Sequence, residues 1–409
     1  MCGIVGHAGL GERITKARLE AMRDAIAHRG PDGFGLIRLD EQGRSCPEDQ
    51  PAAVGLAHRR LSIIDLSSAG AQPMPNEDAS CWITFNGEFY NFQEYRVGLE
   101  ASGHRFRSHC DTETILHLYE EHGIEETLSR MNGMFAFGLW DARNRTLVLA
   151  RDRVGKKPLY YARKGDGLVF ASELKSLYVS GLVDSARLDD LAVAESLISG
   201  TPFHDRTMFE DIRALPVGHY AIWKDGALEV RRYYRNPFED PVAPPRDLED
   251  AADELEALLV DAIRLRLVAD VPVGLFLSGG VDSSLVAALT ARRLERPIQA
   301  YCISFQEEGY DESAHARAMA GYLGLPITVM PAAASNRDLY ESIARHIDQP
   351  LGDASLIPTY QVSQSAHDAD VKVVLTGDGG DEVFGGYDLY RTAVKLWGAP
   401  DERALIRQS

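Results

Sequence analysis

The sequence lacks features that define several classes of protein. Its five cysteines are widely spaced over 409 residues and form no CxxC pair, so we expect neither a disulfide framework nor a zinc ribbon, and a reducing compartment is indicated. No run approaches the ~20 apolar residues of a membrane-spanning helix. The N-terminus also lacks the basic region followed by an apolar region that defines a signal peptide. We therefore expect a cytoplasmic protein with no membrane partner.

Positive charge is scarce as well. The chain has 43 Lys and Arg against 61 Asp and Glu, which gives a formal net charge of −18. A general nucleic-acid binder needs a basic face, and anionic lipid would repel this chain, so neither is an expected partner. Small polar metabolites are compatible with the charge. The length indicates two or three domains, each large enough to bury its own core.

The first 235 residues are dense in short β-like runs bounded by Gly, Asn or Asp. Helical spacing appears at Leu19, Met22 and Ile26 and again around Ile115. Strands are predicted at residues 82–85, 134–140, 146–150 and 168–171. This pattern predicts an α+β domain with layered, largely antiparallel sheets and helices.

The pattern changes after a proline-rich segment. Residues 236–245 contain four prolines and are predicted to be a linker. An amphipathic helix is predicted over residues 247–268. Strands alternating with helices follow, at residues 273–277, 298–305, 327–330 and 371–375. Such alternation indicates an α/β domain with a parallel sheet.

Cys2 directly follows the initiator methionine. Cysteine is small enough that we expect Met1 to be removed, which leaves a thiol and a free α-amine on one residue. An amine with an ordinary pKa near 8 can act as the base for that thiol. A cysteine at position two is by itself weak evidence for a catalytic role, and the motifs that follow strengthen it. Other cysteines, such as Cys110, have no motif around them and are predicted to be packing residues.

Six motifs follow the N-terminal CGIVG in a characteristic order. They are HRGPDG at 28–33, HRRLSIID at 58–65, FNGEFYN at 85–91, DTET at 111–114, RDRVGKKPLY at 151–160 and ASELK at 171–175. Together they resemble the type-2 glutamine amidotransferase domain, an N-terminal-nucleophile hydrolase. The resemblance implies that Cys2 attacks the side-chain amide of glutamine, forms a thioester and releases ammonia.

The resemblance also assigns glutamine-binding residues. The side-chain amide of Asn86 and the backbone N–H of Gly87 would form the oxyanion hole, in which each donor contributes roughly 3–4 kcal/mol. Arg60, rather than Arg59, would bind the α-carboxylate with its guanidinium fork. Asp111, with Glu88, would bind the α-ammonium. The full expected set is Arg60, Leu61, Ser62, Ile63, Ile64, Asn86, Gly87, Glu88 and Asp111.

A glycine-rich loop, LSGGVDSS at 277–284, follows a predicted strand and opens a predicted helix. Its backbone N–H groups and the helix N-terminus suit a phosphate. It is not a Walker A loop, because the Gly-Lys-Ser/Thr is missing. It resembles the pyrophosphate loop of the N-type ATP pyrophosphatases, which cleave ATP between its α- and β-phosphates. The resemblance implies ATP as a substrate and Asp282 as a Mg²⁺ ligand.

A second glycine- and acid-rich turn, TGDGGDE, occupies residues 376–382 after another predicted strand. Because parallel strands end at one crevice, we expect both turns to face it. The resemblance makes Asp381 a second Mg²⁺ ligand and places the catalytic Asp378 beside the acyl-adenylate, where it assists the attacking amine. Residues 348–360 are expected to line the acceptor and nucleotide pocket. The expected ATP contacts are Leu277, Ser278, Gly279, Gly280, Asp282, Ser283, Ile303, Thr376 and Gly377.

The two motif sets together resemble the glutamine-hydrolysing asparagine synthetase family over nearly the whole chain. The resemblance implies that ATP activates the β-carboxylate of aspartate as β-aspartyl-AMP, and that ammonia from glutamine attacks it. The products would be asparagine, glutamate, AMP and pyrophosphate, and a homodimer is implied. We expect an amidotransferase domain at 2–217, a connecting segment and linker at 218–246, and a pyrophosphatase domain at 247–409. That last domain is expected to be incomplete at its C-terminus, because family members continue well beyond the position of Tyr387.

Two alternatives stay open at this point. The same chemistry could act on another carboxylate, such as a sugar uronate in surface polysaccharide synthesis, because acceptor contacts do not lie in a short motif. The chain could instead be a glutaminase or nucleotide-binding fragment without synthetase activity, since no residue matches the family's late lysine. Pyrophosphate release would separate this last alternative from the others.

Overall fold

Two structural units divide the chain in the computed structural model, which describes residues 1–183, 187–239, 247–306, 311–333 and 336–398. The first unit spans Met1–Pro245 and Asn336–Ala354. The second spans Arg246–Ser335 and Ser355–Ser409. Each unit has its own sheet system and its own hydrophobic core.

The strands are numbered in chain order. They are β1 Gly3–Ala8, β2 Gly33–Leu39, β3 Val54–Arg60, β4 Met74–Pro75, β5 Cys81–Phe89, β6 Gly133–Asp141, β7 Thr146–Arg151, β8 Tyr160–Lys164, β9 Gly167–Ala171, β10 Ile212–Ala214, β11 His219–Lys224, β12 Ala227–Arg232, β13 Val273–Phe276, β14 Ala300–Ser304, β15 Ile327–Pro331 and β16 Val373–Leu375.

The α-helices are numbered in the same way. They are α1 Lys16–Asp24, α2 Gln93–Ala101, α3 Asp111–Arg130, α4 Leu174–Val179, α5 Asp190–Ser199, α6 Leu248–Arg266, α7 Val281–Arg292, α8 Ser313–Leu323, α9 Arg337–Ala344, α10 Leu356–Asp368, α11 Gly380–Phe384 and α12 Asp388–Gly398. Polar side chains cap several N-termini. Asp189, for example, accepts hydrogen bonds from the first backbone N–H groups of α5.

The first unit contains two six-stranded antiparallel sheets, in the orders β10-β8-β9-β1-β3-β2 and β12-β11-β7-β6-β5-β4. Their inner faces share one core, in which Trp140, Phe170 and Trp223 are fully buried. A Cβ on Gly6 or Gly138 would lie 2.4 or 2.3 Å from the Phe170 ring. These two glycines therefore leave the space that the ring occupies between the sheets.

Helices cover the outer faces of both sheets. Leu19 and Met22 of α1 and Leu177 of α4 share a second buried cluster with residues of the first sheet, and α3 packs against β5 of the second sheet. The unit is therefore a four-layered α+β arrangement with antiparallel sheets, and the fold class expected for this part of the chain is confirmed.

The segment 218–246 differs from its expected role as a connection. Within it, β11 and β12 pair with each other, and β11 pairs with β7 through Tyr220 and Ala150. Tyr220 and Trp223 are 1% exposed, so these strands close the second sheet and bury aromatic area there. Residues 240–246 of the expected linker lie outside the described residues.

Residues 336–354 also differ from expectation, because they belong to the first unit. The backbone N–H of Lys175 donates to the Asp348 carboxylate at 3.1 Å. The N–H of Gly352 donates to the carbonyl of Gly200 at 2.9 Å. The expected pocket segment 348–360 is therefore divided, because its first seven residues lie in the first unit and the rest begins α10 of the second.

The second unit contains a four-stranded sheet in the order β15-β14-β13-β16, and all its strand pairs are parallel. The expected parallel α/β class is confirmed for this unit. Its core includes Leu275, Ala287 and Leu375, from β13, α7 and β16. Because β13 and β16 are parallel neighbours, the loops that follow them lie at the same sheet edge. Among the described residues, no helix is both long enough and apolar enough to cross a membrane.

Phe170 provides a test of the inter-sheet core. We expect Phe170→Ala to lower the free energy of unfolding by about 3–5 kcal/mol, because it leaves a cavity between the two sheets. Urea titration followed by tryptophan fluorescence measures the change. Phe238→Ala is the control, since Phe238 is 74% exposed. Equal midpoints for the two variants would contradict this account of the core.

Candidate active sites

Cys2 lies at the start of β1, a fully buried strand between β3 and β9. In the β1–β3 register Gly3 faces Arg59, so the next step along both strands brings Cys2 beside Arg60. The backbone N–H of Leu61 points at the Cys2 Sγ, 3.4 Å away. Burial raises the pKa of the thiol, and the Leu61 contact opposes that shift. The thiol is thus held at the end of a fully buried strand.

A cleft of about 340 Å³ opens to solvent at this thiol. Seven of the nine expected glutamine-binding residues line it: Arg60, Leu61, Ile63, Ile64, Gly87, Glu88 and Asp111. Ser62 does not line it, and its N–H instead donates to the Asp32 carboxylate at 2.8 Å. Cys110, expected as a packing residue, is buried and also lines the cleft.

Asn86 and Gly87 are adjacent on β5, and Gly87 lines the cleft whereas Asn86, like Ser62, does not. The Asn86 side chain is 1% exposed, and neither atom of its amide has a hydrogen-bond partner among the described residues. Buried polar groups are normally paired, so this amide is suited to a ligand atom. A Cβ on Gly87 would lie 2.1 Å from the carbonyl oxygen of Met134, so only glycine fits here. Both residues suit an oxyanion site.

An acidic pair, Glu88 and Asp111, lines the same cleft. Burial raises the pKa of both carboxyl groups, and the neighbouring Asp111 charge raises that of Glu88 further. Asp111 is the first residue of α3, and its Oδ2 accepts the N–H of Phe89 at 2.8 Å. A buried and a half-buried carboxylate at one wall favour a cationic ligand group there.

Arg60 is oriented by the loop that follows β3. Its guanidinium donates to the carbonyls of Ser67, at 2.8 Å, and of Asp65. The Asp65 carboxylate in turn accepts the N–H groups of Ser67 at 3.1 Å and His109 at 2.8 Å. A Cβ on Gly70 would lie 2.2 Å from Arg60 Nη2, so a glycine at this position leaves the space that the Arg60 guanidinium occupies. The loop therefore positions the arginine at the cleft.

The sequence did not single out the support behind Cys2. The Arg29 Nε donates to the Cys2 carbonyl at 2.9 Å. Glu173 accepts from Arg29 at 2.8 Å and from Lys175 at 2.8 Å, and lies 3.0 Å from His28 Nε2. Burial alone would raise the pKa of Glu173, but these partners outweigh it and hold the pKa at about 2. Arg29 lies in the HRGPDG motif and Glu173 in the ASELK motif, but no individual role was predicted for either residue.

A second missed residue is Lys157. Its side chain is buried, and burial, followed by the charge of Arg29, lowers its pKa to about 8. The charges of Glu88 and Cys2 act on it in the opposite direction. The loop that carries it is folded around the Asp152 carboxylate, which accepts backbone N–H groups of Phe135, Val154, Lys156 and Lys157 at 2.9–3.2 Å.

In the second unit, the SGGVDSS loop joins β13 to α7. Gly279 has φ +87°, and a Cβ there would lie 2.6 Å from the Cβ of His315. The Ser278 and Ser283 hydroxyl oxygens are 3.0 Å apart, and Gly280 N–H donates to Ser278 Oγ at 3.2 Å. The loop is therefore a tight turn at the N-terminus of a twelve-residue helix. Leu277 is buried below it, and Ile303 lies on neighbouring β14.

The turn after β16 lies against this loop. A Cβ on Gly380 would lie 2.3 Å from Asp282 Oδ2, and one on Gly377 would lie 2.8 Å from the Ser283 nitrogen. Asp282 and Asp381 thus lie on adjoining turns, and carboxylate oxygens fit the ligand preference of Mg²⁺. Asp378 is exposed, and its N–H donates to Thr376 Oγ1 at 3.4 Å.

These two sites define a chain with an amidotransferase unit and a nucleotide-binding unit. The glutamine amidotransferase domain family matches residues 1–234, and the asparagine synthase family matches residues 254–409. The chain belongs to the glutamine-hydrolysing asparagine synthetase family.

Individual relatives agree with this assignment. Asparagine synthetase [glutamine-hydrolyzing] 1 of Bacillus subtilis is 35% identical over 402 residues, which are 97% of this chain and 60% of the relative. A putative asparagine synthetase of Methanocaldococcus jannaschii is 34% identical, over 95% of this chain and 76% of its own length. Amidase chry2 of Gibberella zeae is 34% identical over 96% and 60%. The chain thus spans about 60% of the length of several relatives that it matches.

Glu173→Gln tests the support behind Cys2. The pKa of Glu173 is held at about 2, against an ordinary 4.5, so its carboxylate stabilises the fold above pH 4.5 and loses that contribution as the pH falls towards 2. We expect the variant to be less stable than the wild type by roughly 3 kcal/mol at pH 6, with a gap that narrows below pH 4.5. Urea titrations from pH 6 to pH 3 measure it.

The matched control is Glu126→Gln, which removes a surface ion pair with Arg130 at 2.9 Å. We expect a change below about 1 kcal/mol at every pH, because exposed pairs contribute little. A pH-independent gap for Glu173→Gln would contradict the ionic role of that carboxylate.

Proposed function

We propose that the first unit hydrolyses glutamine to glutamate and ammonia at Cys2. One observation carries the proposal: the fold gathers the Cys2 thiol, the Arg60 guanidinium and the Glu88–Asp111 pair around one cleft. A thiol, a fixed cation and an acidic pair match the three parts of glutamine, which are an amide, an α-carboxylate and an α-ammonium.

In the proposed reaction, removal of Met1 frees the α-amine of Cys2, which takes the thiol proton. The thiolate attacks the amide carbon, and the developing oxyanion is bound by the Asn86 side chain and the Gly87 N–H. The amine returns the proton to the leaving nitrogen, and ammonia departs. Water then cleaves the thioester to give glutamate. The unpaired Asn86 amide supports this role.

Substrate recognition is proposed to rest on charge. Arg60 binds the α-carboxylate, and its backbone contacts with Asp65 and Ser67 hold the guanidinium in place before glutamine arrives. Asp111 and Glu88 bind the α-ammonium. The α-ammonium of glutamine relieves the repulsion between these two carboxylates. An amide without an α-ammonium would therefore bind more weakly at this wall.

We propose that the second unit uses ATP to activate a carboxylate, which then accepts the ammonia. The 278–283 loop would hold the pyrophosphate, and Leu277 and Ile303 would contact adenine. Asp282 and Asp381 would hold Mg²⁺, which neutralises phosphate charge. Thr376 and Gly377 would contact the nucleotide, and Asp378 would assist the amine. The family supports aspartate as the acceptor.

A product count tests the whole proposal. The chain is incubated with glutamine, ATP, Mg²⁺ and aspartate, and glutamate, AMP, pyrophosphate and asparagine are quantified by mass spectrometry. We expect asparagine, AMP and pyrophosphate in equal amounts. Cys2→Ala should lose glutamate formation but still make asparagine from added ammonium. Asp282→Asn should lose pyrophosphate and retain glutaminase activity.

Two outcomes would change the proposal. Products with glucuronate but not with aspartate would move the acceptor to a sugar uronate; the acceptor needs this test because two relatives are named amidases. Glutamate without pyrophosphate for any acceptor would limit the function to glutamine hydrolysis.

Asp111→Asn tests glutamine recognition. We expect its glutaminase KM to rise about 10- to 100-fold with a smaller change in kcat, because the variant loses a charge-assisted hydrogen bond to the α-ammonium. Steady-state glutamate release measures both constants. Asp225→Asn, an exposed pair with Arg145 at 2.9 Å, is the control and should match the wild type. An unchanged KM for Asp111→Asn would remove this residue from the binding site.

A further inference from the structure

Four metal-ligating side chains meet on the α3 side of the first unit. They are Glu77, His104, His117 and Glu120, and each offers an oxygen or nitrogen atom within 4.8 Å of the others. They come from the turn before β5, the loop between α2 and α3, and one face of α3. None of the four lines the Cys2 cleft.

Three of the four His–Glu separations in the cluster match a tetrahedral metal site, and the fourth is longer. His117 Nδ1 lies 3.6 Å from Glu77 Oε2 and 3.5 Å from Glu120 Oε2. His104 Nδ1 lies 3.5 Å from Glu77 Oε1 and 4.0 Å from Glu120 Oε2. Zinc bonds to His and carboxylate are about 2.0–2.2 Å long, so tetrahedral ligands lie about 3.3–3.6 Å apart. These separations are long for direct hydrogen bonds.

The buried atoms at the centre lack partners. His117 is fully buried, and neither of its ring nitrogens has a hydrogen-bond partner among the described residues. The same holds for Glu120 Oε2. Buried polar atoms in proteins are nearly always satisfied. A cation bound by His117 Nδ1 and Glu120 Oε2 would satisfy two of these three atoms.

The outer sides of the ligands are arranged as in metal sites. His104 Nε2 lies 3.4 Å from Glu121 Oε2, and His117 Nε2 lies 3.8 Å from Glu113 Oε1. Asn76 Nδ2 donates to Glu120 Oε1 at 2.6 Å. A carboxylate within hydrogen-bond distance, as Glu121 is for His104, fixes the tautomer of a ligating histidine and strengthens it as a ligand. Glu113 lies beyond that distance from His117.

We propose that Glu77, His104, His117 and Glu120 bind one Zn²⁺ ion. Two imidazoles and two carboxylates form a closed four-ligand set, which is typical of a structural site rather than a catalytic one. The ion would tie two loops to α3, whose first residue, Asp111, lines the Cys2 cleft. It would thereby hold that carboxylate in place.

The competing arrangement is a protonated His117 among carboxylates. Burial lowers the pKa of this histidine, but Glu113, Glu120 and Glu77 outweigh burial and raise it to about 9. A proton and a metal would compete for the same nitrogen, so the two arrangements exclude each other and can be separated by direct binding.

The experiment titrates the full chain, first freed of metal with a chelator, with Zn²⁺ by calorimetry and with Co²⁺ by absorption. We expect one Zn²⁺ per chain, visible bands of tetrahedral Co²⁺, and a melting temperature that rises by about 5 °C with zinc. His104→Gln and Glu120→Gln should weaken zinc binding at least about 100-fold, and Glu121→Gln about 10-fold.

Two controls isolate the cluster. His122→Gln changes an exposed histidine on the same helix, and Cys2→Ala removes a thiol that could bind zinc; both should retain full affinity. Circular dichroism establishes that each variant folds. The Co²⁺ spectrum of the wild type tests the metal geometry independently, because it needs no variant. Absence of zinc binding, or affinity unchanged in His104→Gln and Glu120→Gln, would overturn the proposal.

Discussion

The antiparallel pairing of β1 with β3 is the constraint on which the amidotransferase site depends. It places Cys2 beside Arg60 and Leu61 at the end of a strand with no exposed residue. Because side chains alternate along a strand, a slip of one residue would turn the thiol to the opposite face. The Phe170 core between the two sheets holds this register, since β1 and β9 are neighbours in one sheet and Gly138 of β6 packs on the same ring.

Buried charge is organised around that strand. Arg29 links the Cys2 carbonyl to Glu173, while Asp152 gathers the backbone of the loop that carries Lys157. Each buried charge costs desolvation free energy unless it is paired or hydrogen-bonded. The Glu88–Asp111 pair differs, because burial raises the pKa of both carboxyl groups even though Asp111 accepts the Phe89 N–H. The fold therefore brings two acidic groups together at the wall where an α-ammonium is proposed to bind.

Prediction from the sequence succeeded where a signal is local. Strands with runs of alternating or apolar residues, such as β6 and β9, were found, and so was the parallel sheet of the second unit. It failed where the partner is distant. The strands β11 and β12 were assigned to a connection, because β11 pairs with β7 about 70 residues away and no local pattern indicates that pairing. Residues 336–354 pack with the first unit, and no local pattern indicated that packing either.

The sequence by itself determined the family and the order of the two domains, and it predicts the nucleophile, because these depend on short motifs whose residue types carry the chemistry. Only the tertiary structure decided which groups act together. Arg29 and Glu173 lie 144 residues apart, yet they share a hydrogen bond of 2.8 Å. The Glu77–His104–His117–Glu120 cluster likewise joins two loops and a helix. Such groups meet because sheet register and helix packing bring them together. Their contacts cannot be predicted from the spacing of the residues along the chain.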